Sequence, residues 1–301
     1  MTLTLEPRTS GSMTLEEYLD FIERNVDVSD QEQVLASAEQ LAALANDRTF
    51  LSRKFNDELR DWAAFQVGNA YSSQTLALGQ GNGYFVRANM WIPPSTSSAG
   101  NDWQSDLFAY ARPHDHNFSF MTVGYVGSGY QTTIYEYDHD KIVGYPGEPI
   151  ELRFLESTSL DRGKIMFYRA SRDIHRQEHP LEFSISINLM VVTPEVSSNN
   201  QYWFDLERGT IRDYVQQNPS VTRVMLCHLA RYLGDGETAV SLETIAATHH
   251  FPRVRLAAYE SLAALEEKHG GAAEVWSRAA DDRHPLVRHG ARNMLDRLLV
   301  P

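Results

Sequence analysis

Arg112-Pro113-His114-Asp115-His116 is the stretch on which the reading of this chain turns. In an extended strand, residues i and i+2 point to the same face, so His114 and His116 can present two imidazoles side by side. Two imidazoles at that spacing can share a metal ion if another strand supplies a third donor. Three further histidines precede the last third of the chain: His139, His175 and His179. His139 lies in the polar run Asp138-His139-Asp140, which reads as a solvated turn. His179 stands before Pro180, which also reads as turn chemistry. His175 follows the strand-like run Lys164 to Tyr168 and is the favoured third donor, with His139 and His179 as the alternatives.

Outward from this motif, residues 82–208 are rich in aromatic and β-branched residues in short alternating runs. Tyr84-Phe85-Val86, Phe118 to Val123, Thr132 to Tyr137, Lys164 to Tyr168 and Phe183 to Val192 are the clearest. Turn signals such as Val126-Gly127-Ser128-Gly129 and Tyr145-Pro146-Gly147-Glu148 separate them, and no helical pattern alternates with them. That texture predicts an antiparallel sandwich or barrel.

Residues 1–81 read as helical and as packing on that barrel. Thr14 and Glu17 have the spacing of a capping box, followed by Leu15, Tyr18, Leu19 and Ile22 on one helical face. Ser29 and Glu32 repeat the signal before Val34, Leu35, Ala38, Leu41 and Leu44, and a third stripe holds Phe55, Leu59, Trp62 and Ala63. After a break near Glu207-Arg208-Gly209, residues 209–301 repeat with a period of 33: Pro219, Pro252 and Pro285 share an offset with Val221, Val254 and Val287. Met225, Ala258 and Ala291 hold the same register, as do Leu229, Leu262 and Leu295. Proline suits the first turn of a helix, and units of this kind bury their apolar faces by stacking on one another.

The chain has 301 residues, 27 Lys plus Arg against 40 Asp plus Glu, and a formal net charge of −13. Such a balance argues against nucleic acid or an anionic membrane surface as partner, because phosphate binding relies on excess basic residues. Residues 222–301 carry ten basic and ten acidic side chains, so the deficit lies upstream. The single cysteine, Cys227, excludes an internal disulfide and fits a reducing compartment. Neither a secretory leader nor an apolar run long enough to span a bilayer is visible, so the expected location is cytoplasmic.

An HxH pair followed some sixty residues later by a lone histidine resembles the metal pattern of cupins, and the detail is most similar to the cysteine dioxygenase branch. The stretches that carry the likeness are Pro113-His114-Asp115-His116, Val126-Gly127-Ser128-Gly129, Gln131-Thr132-Thr133-Ile134-Tyr135, Asp173-Ile174-His175 and Ser184-Ile185-Ser186-Ile187. They cover about residues 14–195. The resemblance implies an antiparallel β cupin barrel of jelly-roll type (82–208) behind a helical N-terminal segment (1–81) and leaves out residues 209–301. There Phe251-Pro252-Arg253-Val254-Arg255 and His284-Pro285-Leu286-Val287-Arg288 resemble HEAT-type helical repeats, so the expected fold is mixed. The cupin resemblance also implies Fe(II) held by His114, His116 and His175, and Arg87 as the counterpart of the arginine that binds a substrate carboxylate. Common cupins carry an acidic ligand that would fall near Phe120 or Met121; its absence favours three neutral imidazoles with open positions on the ion. Other residues depart from the branch. Asn188 and Met190 stand where it has His and Tyr, and Met121 stands at about the place of its cross-linking cysteine, so free cysteine is not the expected substrate.

The expected function is therefore a mononuclear non-haem iron oxygenase acting with O2 on an amino-acid-like, peptide-borne or carrier-borne substrate. A zinc or nickel cupin catalysing isomerisation or hydrolysis is the first alternative. The second is a non-catalytic scaffold, with a protein partner docked on the repeat arm.

Overall fold

The computed structural model describes residues 3–299 apart from 8, 62–65, 67–68, 70–72, 217–219 and 268–269. Trp62, Ala63 and Pro219, used above, lie outside the described residues. The described chain divides into two compact units, one of residues 1–139, 151–197 and 202–209, the other of residues 140–150, 198–201 and 210–301.

The first unit opens with strand β1 (Leu3–Leu5) and four helices: α1 (Leu15–Asn25), α2 (Gln31–Ala36), α3 (Ala38–Asn46) and α4 (Phe50–Arg60). The Thr14–Glu17 capping box forms, with each side chain holding the other's backbone N–H, an arrangement that contributes about 1 kcal/mol. The second cap is Asp30 rather than Ser29: the carboxylate accepts from Glu32 N, while Ser29 bonds back to Asp27. In the third stripe Phe55 packs on the core, but Leu59 is exposed.

The purely helical expectation for residues 1–81 is corrected at both ends. Besides β1, residues Thr75–Gly81 form β2, with Leu76 and Leu78 inward. A three-residue edge strand is too short to show a period of two, so only pairing with a distant segment defines it. Strands β3 (Tyr84–Trp91), β4 (Ser119–Val126), β7 (Ile165–Tyr168) and β9 (Ser184–Val191) complete a six-stranded antiparallel sheet in the order β1-β7-β4-β9-β3-β2. Between β3 and β4 lies a helix that the sequence pattern did not announce, α5 (Ser98–Phe108), capped by Ser97. A second sheet, β6-β5-β8, joins β5 (Gln131–Glu136), β6 (Arg153–Ser159) and β8 (Asp173–Gln177).

Alternation gives the six-stranded sheet two different faces. Val86, Ala88, Met121, Val123, Phe167, Ile187 and Leu189 face the helices and form a core with Tyr18, Ile22, Leu41, Leu44 and Phe50. Each fully buried side chain of this size contributes about 1.5–3 kcal/mol. The other face carries Trp91, Phe120, Met166, Tyr168 and Met190, which cluster with Tyr130 and Ile134. The chain crosses from the first sheet to the second through Gly127 and Gly129, both left-handed (φ +79° and +69°). A Cβ on Gly129 would sit 1.9 Å from the Leu160 carbonyl oxygen, so glycine is required there. After β9 come α6 (Pro194–Ser197) and β10 (Tyr202–Asp205).

The second unit holds β11 (Thr210–Tyr214) and helices α7 (Ser220–Leu233), α8 (Gly236–Thr248), α9 (Pro252–Glu266), α10 (Ala272–Ala279) and α11 (Pro285–Leu299). Pro252 and Pro285 open α9 and α11, where a missing N–H costs nothing. Val254, Ala258, Leu262, Val287 and Ala291 are buried together with Leu242, Ala246, Val275 and Ala279. Arg255, only 2% exposed, spans the turns before both helices: it pairs with both Asp282 oxygens (2.9 and 2.8 Å) and donates to the His249 and His250 carbonyls. The repeat register fails on α7, where Met225 and Leu229 are exposed while their counterparts Ala258 and Leu262 are buried. Helix α7 meets the core through Val224 and Cys227 instead. No described helix is long and apolar enough to cross a membrane.

Candidate metal centre

Backbone pairing sets the position of the first histidine. His114 N donates to His175 O (3.1 Å) and His175 N returns a bond to His114 O (2.9 Å). On the other side His114 bridges to Trp203 of β10. The HxH segment is thus held between two strands without being a long strand itself, and its extended geometry still aims His114 and His116 alike. His175 lies mid-β8, opposite Ile134 of β5.

The three imidazoles converge. Nε2 of His116 lies 3.0 Å from Nε2 of His175, and the nearest ring nitrogens of all three residues fall within 4.8 Å of one another. His114 Nδ1 donates to the Arg112 carbonyl oxygen (2.8 Å), which fixes the tautomer that leaves Nε2 with a free lone pair. Burial is the first reason that all three stay neutral. It pulls His114 down to about 4. His116 and His175 are held well below the ordinary range by burial and by the neighbouring rings, with the Arg87 charge adding to the effect on His116. Neutral imidazole is the ligating form.

The group fits a small divalent ion. Two neutral ring nitrogens 3.0 Å apart repel unless a proton or cation lies between them, and about 3 Å separates two ligands at right angles around an ion bonded at about 2.1 Å. The His175 Nδ1 atom is buried without a hydrogen-bond partner, so the carbonyl brace seen on His114 is not repeated there. Aromatic rings wall the group: Phe118 and Phe120 beside His116, Tyr168 beside His175, Trp203 beside His114. Phe120 lies beside both His116 and His175, with ring centroids 5.3 and 5.9 Å away.

Between the two histidines of the motif, Asp115 is fully buried and accepts from Tyr137 Oη (2.6 Å) and Tyr202 N (2.7 Å). Burial pushes its carboxyl up to about 7 against the pull of these bonds. Nothing in the sequence marked Asp115 or Tyr137 as partners. His139 and His179 are not in the group. His139 lies in a 3-10 turn, and His179 packs on Tyr110 with its Nδ1 by the Ile92 carbonyl oxygen. Asn117 donates to Ser197 O (2.9 Å).

Arg87 lies on β3 opposite Asn188 of β9, and Asn188 lies opposite Thr122 of β4. Residues in register share a face, so Arg87, Asn188 and Thr122 form one row. Thr122 Oγ1 donates to Asn188 Oδ1, Ser186 Oγ donates to the same oxygen (3.3 Å), and Trp91 Nε1 donates to Ser186 Oγ (3.0 Å). The Arg87 charge acts on both His116 and Tyr130. Met190 shares the aromatic cluster of this face. Met121 does not: it is buried among the helices on the opposite face, so it occupies no place beside the histidines.

No protein-family model matches the chain, and no curated protein matches it. Several solved structures show slight likenesses. Hydroquinone 1,2-dioxygenase PnpCD, in complex with Cd2+ and 4-hydroxybenzonitrile, is 14% identical over 43% of this chain and 71% of that one, with a TM-score of 0.26. The hydroquinone 1,2-dioxygenase from Sphingomonas sp. TTNP3 is 12% identical over 44% and 75%, also at 0.26. The capsular polysaccharide assembling protein CapF from Staphylococcus aureus is 12% identical over 61% and 44%, at 0.21. Likenesses of this size carry no argument about family or activity; the mixed fold and the buried histidine group stand on the chain's own geometry.

Proposed function

We propose that this chain is a mononuclear non-haem Fe(II) oxygenase of the cupin type. His114, His116 and His175 hold the ion, and Arg87 anchors a carboxylate of an amino-acid-like, peptide-borne or carrier-borne substrate. The observation that carries the reading is the convergence of three neutral imidazoles, two buried and one half-buried, inside an aromatic-walled β domain. An iron held by these residues would supply open coordination positions for substrate and O2 and the electrons that make dioxygen reactive.

The chain's own residues do the rest. Three neutral donors with Phe120 in place of a carboxylate leave the ion's charge uncompensated, which favours an anionic substrate group. The aromatic wall limits the access of bulk water, so charge–charge contacts inside are stronger than at the surface. A guanidinium can hold a carboxylate through two parallel hydrogen bonds. Asn188 presents an amide oxygen already bonded to Thr122, so it does not relay protons as an imidazole there would. Free cysteine is for that reason not the proposed substrate. Residues 209–301 stay outside the chemistry: they contain no member of the histidine group. The division at 81 and 208 belongs to the same proposal.

Metal analysis of anaerobically purified protein tests it, followed by oxygen-uptake screening of amino acids and peptides. The expected result is one iron per chain, lost in His114→Ala, His116→Ala and His175→Ala. Full iron retention in His175→Ala, or zinc or nickel without oxygen uptake, overturns it.

A further inference from the structure

Helix α7 leaves an apolar face uncovered. Met225, Leu226, Leu229, Tyr232 and Leu233 are 63%, 65%, 51%, 77% and 77% exposed. Their spacing of one, four, seven and eight residues puts them on one side of the helix, opposite Cys227, which is buried in the arm's core. Together they leave on the order of 600 Å² of apolar surface in water, more than single exposed side chains account for. A protein interface of ordinary size needs about 800 Å² from each partner.

The pattern is symmetric about Leu229. Leu226 and Tyr232 lie three residues on either side of it, and Met225 and Leu233 four on either side. An antiparallel copy of the same helix would therefore set Leu229 against Leu229, Leu226 against Tyr232, and Met225 against Leu233. This is the self-complementarity that a twofold axis demands. The approach is not opposed by net charge, because residues 222–301 are neutral in a chain that carries −13.

We propose that α7 is a homodimer interface, in which two copies of the chain pack α7 antiparallel on α7 about a twofold axis at Leu229. The exposed apolar positions that break the 33-residue register, where α9 has buried residues, are then the surface of a second core completed by the partner copy. Leu229 and its neighbours touch solvent in the isolated chain, so changing them tests association without opening the fold.

Sedimentation equilibrium of the full chain across the micromolar range should give twice 34.2 kDa, and Leu229→Glu, which places two like charges on the axis, should halve that mass with helix content unchanged. Disulfide trapping tests the geometry without a disruptive change. Leu229→Cys alone should cross-link to itself under mild oxidation. Met225→Cys and Leu233→Cys chains should cross-link when mixed and remain single when oxidised separately. The unaltered chain is the control, since its Cys227 is buried. A wild-type monomer at all concentrations overturns the proposal and leaves the face to a different protein. So does a dimer that survives Leu229→Glu, or one in which Met225→Cys chains cross-link only to themselves, which is parallel packing.

Discussion

Arg169→Met should be among the most destabilising substitutions in the β domain outside its hydrophobic cores. Glu136 of β5 and Asp173 of β8 are directly opposite one another in register, and two carboxylates so placed repel. Arg169 resolves the conflict. Its Nε lies 3.1 and 3.0 Å from the two Asp173 oxygens, and its Nη2 lies 2.8 Å from Glu136 Oε2. The Asp173 side chain is fully shielded from solvent, and those of Arg169 and Glu136 are each only 13% exposed. With methionine at 169, Glu136 keeps Arg153 and Arg172, but Asp173 keeps only the backbone N–H of residue 169. Removing one member of a buried pair in this way costs about 3–5 kcal/mol, about a fifth or more of the total stability of an ordinary domain. Replacing both charges, as in Arg169→Met with Asp173→Asn, should recover at least half of that loss, because a neutral pair leaves no stranded charge. Urea titration at neutral pH, extrapolated to water for the wild type, both single variants and the double variant, measures the cycle. A loss below about 1 kcal/mol in Arg169→Met, or single effects that simply add, would show that the guanidinium is dispensable.

Three further outcomes follow from the same geometry. Burial alone would raise the Glu136 carboxyl, but Arg153, Arg169 and Arg172 outweigh it and hold the group at about 2 against an ordinary 4.5. A depressed folded value means stability that is complete above about pH 5 and is lost as pH falls toward 2; acid titration should show Glu136→Gln flattening that slope, and an unchanged slope refutes it. Gly129→Ala should lower stability by at least about 1–2 kcal/mol from backbone strain alone, with the clash on Leu160 O added; a thermal melt equal to wild type counts against the turn as described. Arg87→Ala should leave iron content intact while weakening binding of a carboxylate substrate by about 1.5–3 kcal/mol, read as a rise in KM; loss of iron with it would place Arg87 in the metal's support instead.

The period-two and 33-residue patterns were legible because they are local. His114 and His116 share a face by spacing alone, and the buried repeat positions Val254, Ala258 and Leu262 recur in sequence as they do in space. What escaped was set by long-range pairing. The strand character of Leu3–Leu5 exists only against β7, and the triad of Glu136, Arg169 and Asp173 is assembled by a register that no single segment encodes. Asp115 drew no reading of its own within the motif, yet Tyr137 and Tyr202 make it a buried acceptor. Met121 illustrates the opposite error. Its position in the chain suggested the pocket, and one step of strand alternation sent it to the other side of the sheet.

That alternation sets the terms on which this protein can change over generations. On β3, β4 and β9 the residues that face the helices are Val86, Ala88, Met121, Val123, Ile187 and Leu189, and those between them, Arg87, Thr122 and Asn188, face the histidines. Lineages can therefore exchange members of the second set, trying new shapes and charges beside the metal centre, while the first set goes on holding the sheet to its helices. Under the proposed function, substrate preference and fold would be written on alternate letters of the same strands, so drift in one would leave the other legible.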